Sequence, residues 1–155
     1  LLDHKEEIML KRVLVFGVVV AAVIAGGCAS VPMASSEMDS AAKSFAVKPG
    51  KANIYVFRNE SMGAALRMTL VLDGKLVGST AAKTYVLLEV APGNHTLISK
   101  TENDSTLTIS TVAGRNYFVW QEVKMGAFSA RSALQLVDET KGRAGVAECK
   151  LIQAM

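Results

Sequence analysis

The chain has 155 residues, half of them hydrophobic, with 17 Lys and Arg against 14 Asp and Glu and a formal net charge of +3. The basic residues are scattered and the charge is small, which excludes a phosphate-tracking surface and nucleic acid as a partner. Its two cysteines form no CxxC, which excludes a redox motif or a zinc site of that kind.

The N-terminal part reads as an export signal. Leu1 to Ile8 is an upstream extension, and Met9-Leu10-Lys11-Arg12 is a normal beginning for a signal. Val13 to Ala25 is almost wholly apolar and leads into Gly26, Gly27 and Cys28. A basic start, an apolar stretch of about 7–15 residues and a small-residue cleavage site define a signal peptide, here residues 9–27. The run lacks the about 20 apolar residues of a membrane span and the polar face of a surface helix. The site resembles the lipobox of bacterial lipoproteins, with Ala25 where Leu is usual. The resemblance implies cleavage between Gly27 and Cys28 and attachment of diacylglycerol to the Cys28 thiol. Two or more acyl chains would anchor the protein stably. Ala29, in place of an Asp retention residue, points to the inner leaflet of an outer membrane, facing the periplasm. The membrane is therefore the first expected partner.

Removing residues 1–28 takes away three basic and three acidic residues, so the mature net charge stays at +3. One domain fits in what remains, and two do not. Residues 28–48 form the lipidated cysteine and a flexible tether, rich in Ala and Ser and poor in large apolar groups. Phe45 and Val47 stand where the tether meets the domain, and Pro49-Gly50 marks the boundary of a domain over 49–155.

Past the boundary the pattern is strand, turn, strand. Ile54-Tyr55-Val56-Phe57 is a continuous apolar run, as in a strand covered on both faces. Arg67 to Leu72 alternates, and Asp73-Gly74 is a strong hairpin signal, since a type I′ turn needs two residues at positive φ. Lys75 to Gly78 answers it. Tyr85 to Val90 follows, with Val86, Leu88 and Val90 on one face, and Pro92-Gly93-Asn94 turns the chain into His95 to Lys100. Glu102-Asn103-Asp104 is a further turn. Thr106 to Ser110 alternates with period two. Gly114-Arg115-Asn116 leads into Tyr117-Phe118-Val119-Trp120, and Ala133 to Val137 is the last strand. Asp138 is an N-cap for a short helix from Glu139 to about Cys149, weakened by Gly142 and Gly145 at about 1 kcal/mol each. No connection is long enough for a crossover helix, which excludes parallel βαβ architecture. The expected fold is mostly β: an antiparallel, Ig-like sandwich of about seven strands with a short C-terminal helix, preceded by the signal helix.

Leu70 to Gly78 followed by Leu88 to Leu97 resembles the PEGA-type surface module, with its "DG" hairpin and later "PG.H.L" turn, although no Pro-Glu-Gly-Ala stretch is present. From about Lys48 to Leu151 the chain is also similar to a family of small bacterial lipoproteins of unknown function. The shared features are Gly50 to Arg58, the Asp73-Gly74 and Pro92-Gly93 turns, and Tyr117-Phe118-Val119. That resemblance implies a fold and an address, and brings no catalytic residues.

Few residues carry chemistry. His95 is the one histidine after Cys28 and falls in a hairpin arm. No histidine pair or Cys-His cluster offers a metal site, and no cofactor or catalytic residue is expected. Ser61 to Ala65 is small and flexible without spelling a phosphate loop. Glu102 and Asp104 read either as a weak calcium turn or as solvated carboxylates. Cys149 is a buried inert thiol, or else an intermolecular disulfide partner or a reactive thiol. Glu89 and Glu122 are the carboxylates that separate strands could bring together for glycosidase-type chemistry. Tyr55, Phe57, Tyr117, Phe118 and Trp120 either pack a core or line an interface, with Tyr55, Tyr117 and Trp120 as the candidate binding face for an envelope protein or a cell-wall polymer. The expected function is a non-enzymatic envelope binding or scaffolding module. The alternative is an enzyme or ligand carrier with a pocket at Arg58, Glu89 or His95.

Overall fold

The computed structural model describes residues 30–155. The upstream extension, the signal peptide and Gly27, Cys28 and Ala29 lie outside the described residues. Helix α1 spans Ser36–Ala42. Strands β1 (Ala52–Arg58), β2 (Met68–Leu72), β3 (Lys75–Thr80), β4 (Thr84–Val90), β5 (Gly93–Lys100), β6 (Asp104–Thr111), β7 (Asn116–Met125) and β8 (Ala130–Val137) follow. Helix α2 (Glu139–Ala147) and the short β9 (Lys150–Leu151) complete the chain.

The strands form two sheets, a five-stranded one ordered β8-β7-β1-β4-β9 and a four-stranded one ordered β3-β2-β5-β6. The mostly β sandwich and the C-terminal helix agree with the sequence pattern. The antiparallel expectation holds for most pairs and fails for two: β1 runs parallel to β7, and β4 runs parallel to β9. Neither pair uses a crossover helix to join neighbours directly. For β1 and β7 the chain leaves the five-stranded sheet, builds strands of the second and returns, whereas β9 is reached from the parallel β8 of the same sheet through α2, a crossover helix on the outer face, so the exclusion of any such connection fails there.

Alternation decides which residues enter the interior. Ile54 and Val56 of β1, Leu70 of β2, Val86 and Leu88 of β4, Leu97 of β5, Ile109 of β6 and Val119 of β7 form an aliphatic core between the sheets. On the outer face of the second sheet, Thr106, Thr108 and Ser110 are exposed, as their period predicts. Asp73 and Gly74 have φ of 50° and 79° at the β2–β3 turn, the pair of positive values that a type I′ hairpin demands.

Both flanks of the sandwich are bridged, the second only in part. On one, Asn103 Nδ2 donates to the Ser132 carbonyl and Oδ1 accepts from the Ser132 N–H, tying the β5–β6 turn to β8. On the other, Met33 bridges Ile152 and the Gln153 N–H donates to the Pro32 carbonyl, so the residues before α1 pair with those after β9. Val31 and Ile152 insert into the aliphatic core from this ribbon.

The tether expectation gives way here. Val31 is buried, and α1 lies on the outer face of the five-stranded sheet with Ala42 buried against it. The same face carries Tyr55, Phe57, Tyr85 and Phe118, an aromatic cluster closed by α1 and α2. Rings of Tyr55 and Phe118 stack with centroids 5.3 Å apart, and Phe45 meets Phe118 edge-on at 5.8 Å. Ala- and Ser-rich composition signals disorder only where no surface awaits the segment, and here an aromatic face does.

Candidate functional site: a groove beside the open edge of β4

The aromatic face orders the segment that forms the groove. Ser35 caps α1, its Oγ accepting from the Met38 N–H. The Tyr55 hydroxyl donates to the Ala42 carbonyl at 2.8 Å, and Asp39 Oδ1 accepts the Leu151 N–H at 2.9 Å. Lys43 Nζ joins Asp39 Oδ2 at 2.8 Å and donates to the Cys149 carbonyl at 2.7 Å. Partial burial opposes ionisation of Asp39, but hydrogen bonds led by that from Lys43 outweigh it and hold the carboxyl below its usual range. Burial pushes the Tyr55 hydroxyl up to about 12, so it stays a neutral donor.

Phe45, at φ 57°, turns the chain out of α1, and two asparagines pin the strand of chain that follows. Asn53 Nδ2 donates to the Ala46 carbonyl and Asn116 Nδ2 to the Phe45 carbonyl. Lys48 Nζ then reaches Glu89 Oε2 at 2.7 Å across the outer face of β4. Between α1, residues 44–49 and the β4–β9 edge lies a groove of about 690 Å³. Met38, Ala41 and Val47 form its walls, Leu87 and Ile152 its floor, and the Lys48–Glu89 pair its rim.

Of the sequence candidates, only Glu89 reaches this groove, and it stands exposed at the rim rather than in an enclosed pocket. Tyr55, Tyr117 and Trp120 do not share an open face. Tyr55 is wholly buried. Tyr117 packs on the opposite side of the sheet against the aliphatic core, its hydroxyl accepting the Val112 N–H. Trp120 packs beside the aromatic cluster under Lys141, whose Nζ is 4.3 Å from the ring centroid. The alternation that separates Tyr117 from Trp120 was legible in the sequence and argues against a shared face.

The remaining candidates have structural work. His95 Nδ1 meets Asp73 Oδ2 at 2.7 Å and Nε2 lies 2.7 Å from the Ala91 carbonyl, clamping two hairpins together. The Asp73 hydrogen bond raises His95, and the same bond lowers Asp73. Arg58 is fully buried and donates to the carbonyls of Met62, Gly63 and Leu66, so its guanidinium organises the loop that looked flexible. Glu102 accepts the N–H groups of Ala127, Phe128 and Ser129, which lower its pKa, and Asp104 pairs with Lys100. Glu89 and Glu122 stay apart: Glu89 lies opposite Asn53 near the start of β1, and Glu122 pairs with Lys124 beyond its end. Cys149 is a free, buried thiol pushed up to about 12 by burial. Among the described residues no cluster of His, Cys, Asp and Glu could hold a metal ion, and no helix is long and apolar enough to cross a membrane.

Sequence reasoning missed the groove because it left 28–48 unstructured. The signals were present: Ser35 as N-cap, and Met38, Ala41 and Ala42 at helical spacing. A second missed feature is a buried polar bridge across the sandwich. Gln121 on β7 accepts from the Thr80 hydroxyl and donates to Ser99, which also bonds Ser132.

Residues 48–133 match a family described as "Protein of unknown function (DUF2846)", and the chain belongs to that family. It is also similar to an uncharacterized protein of Haemophilus influenzae, 32% identical over 132 residues that cover 84% of this chain and 79% of the relative. No solved structure matches the chain. The family range begins after α1 and ends within β8, so it omits both helices and β9.

Proposed function

We propose that the protein is a lipid-anchored binding or scaffolding module of the bacterial cell envelope, without catalytic turnover. It is held by a lipidated Cys28 in the inner leaflet of the outer membrane and faces the periplasm. Its β-domain serves as a PEGA-like surface module that takes an envelope protein or cell-wall polymer. The observation that carries the reading is the groove beside β4. Its walls are aliphatic, and its two charged side chains neutralise one another at the rim. Such a surface captures apolar and backbone groups, and offers no acid–base pair to a reacting bond.

The start of the fold refines the anchor. Val31 is buried three residues after Cys28, a reach of about 11 Å at full extension. A lipid on Cys28 then holds the domain against the headgroups rather than on a long tether. In a Gram-negative host, wild-type protein is expected in the membrane fraction. Cys28→Ser is expected to appear as uncleaved precursor or in the soluble periplasmic fraction. Wild-type protein that fractionates as soluble, or Cys28→Ser that is processed and retained like wild type, contradicts the anchor. Glu122→Gln, remote from the groove, is expected to leave an envelope phenotype intact; its loss in a folded variant favours the enzyme reading.

A further inference from the structure

The groove has a backbone wall. Strand β4 pairs with β1 along its whole length, from Thr84 opposite Arg58 to Val90 opposite Ala52. On its other side β9 pairs only with Thr84 and Tyr85. The Tyr85 carbonyl accepts the Ile152 N–H at 2.9 Å, so the polar groups of Tyr85 point away from β1. Strand residues two apart point their N–H and C=O groups the same way, and the β1–β4 register runs without a shift. Leu87 and Glu89 therefore direct their N–H and C=O groups outward, past the end of β9. The opposite strand agrees: the Asn53 N–H, facing Glu89 in register, donates to Arg115 on the β7 side. No backbone group among the described residues bonds those of Leu87 or Glu89.

Beyond Tyr85 the chain after β9 swings away. The Gln153 N–H bonds Pro32 and the Met155 N–H bonds Val77, on the flank toward β3. A gap is left between residues 152–154 and the free edge of β4, and this gap is the groove. A free edge is ordinarily blunted by charge, a proline or a bulge. Here the one charged side chain on the free stretch, Glu89, is tied back to Lys48 across the outer face.

We propose that the free edge of β4 at Leu87 and Glu89 receives an extended polypeptide segment of a partner protein, which adds a strand in line with β9. The occupant is read from the edge. Two outward donor–acceptor pairs about 7 Å apart match the repeat of an extended chain. A polysaccharide or an acyl chain lacks that alternation of amide donors and acceptors. Alternate side chains of the added strand would enter between Leu87 and the α1 wall at Met38 and Ala41, which calls for apolar residues two apart.

The proposal deepens the binding-module reading and is independent of the lipid, since the edge belongs to the described domain whether or not Cys28 is acylated. Failure of the Cys28 experiments leaves it standing, and its own failure leaves the anchor standing. The test uses the full chain in detergent. Amide hydrogen exchange is expected to show Leu87 and Glu89 exchanging much faster than Val86 and Leu88, which bond to β1. A phage-displayed library of random dodecapeptides is the probe. Enriched peptides should alternate apolar residues and slow exchange at Leu87 and Glu89. Glu89→Pro removes an outward donor at a position an edge strand tolerates and should weaken binding by about tenfold or more. Leu87 and Glu89 amides already as protected as their neighbours in the free chain would overturn the proposal. So would a failure to enrich any peptide, or enriched peptides that bind folded Glu89→Pro as tightly as wild type.

Discussion

The two faces of β1 are both buried, yet they are built differently. The inner face presents Ile54 and Val56 to a second sheet, a flat aliphatic surface met by another. The outer face presents Tyr55 and Phe57 to two short helices drawn from opposite ends of the domain. Sheet packing tolerates ordinary side chains on both partners, whereas helix-on-ring packing demands missing ones. A Cβ on Gly142 would stand 2.1 Å from the Phe118 ring, and one on Gly145 would stand 2.1 Å from the Phe57 ring. The glycines that lower helix propensity are what lets α2 lie against the aromatic layer, and close approach outweighs propensity here.

The largest expected effect follows from emptying the outer face. Phe57→Ala should cost about 3–5 kcal/mol, read from denaturant unfolding, and should release α2 before the sheets unfold, seen as early exchange of its amides. Simultaneous loss of β2 and α2 protection would show that the two faces form one cooperative unit. Gly142→Ala should cost about 1–3 kcal/mol from overpacking, against a helix-propensity gain of about 1 kcal/mol. A stabilised variant would refute the close-approach account. Gly74→Val, away from both faces and with open space around it, should cost about 1–2 kcal/mol through backbone strain at φ 79° alone. The smallest effect is pH-linked and lies on the second sheet. His95 is raised by Asp73, so its contribution is fully present below its unfolded value of about 6.5 and is lost as pH rises through the folded value. Asp73 is lowered, so its contribution is lost only as pH falls well into the acid range. The melting midpoint should therefore rise modestly between pH 8.5 and pH 6, and Asp73→Asn should flatten that rise while keeping the turn.

The inner face was legible because period-two alternation needs no knowledge of the partner. Leu107 and Ile109 against Thr106, Thr108 and Ser110 assign themselves, and Asp73-Gly74 names its own turn. The outer face was not. β1 reads as continuously apolar, which announces a second covered face without saying what covers it. The cover on one side is α1, whose seven residues are too short to be stable outside this contact. The cover on the other is α2, marked correctly by Asp138 as N-cap yet obscured by its glycines. The parallel β1–β7 and β4–β9 pairs were hidden for a different reason: pairing between strands far apart in sequence leaves no local signal. The groove inherits both difficulties, since one wall is α1 and its floor is the stretch of β4 that β9 leaves unpaired.

The domain has a second core outside the sandwich, completed by segments that flank the family-matched residues. Thermal unfolding of a chain beginning at Lys48, compared with one beginning at Ala29, tests this most directly. Loss of residues 29–47 removes α1, Phe45 and Val31, and with them contacts to Tyr55, Phe118 and the aliphatic core. The chain from Lys48 is expected to melt far lower or fail to fold, with its aromatic face binding a hydrophobic dye. An unchanged midpoint with no dye binding would contradict the second core, and would return residues 29–47 to the role of a tether.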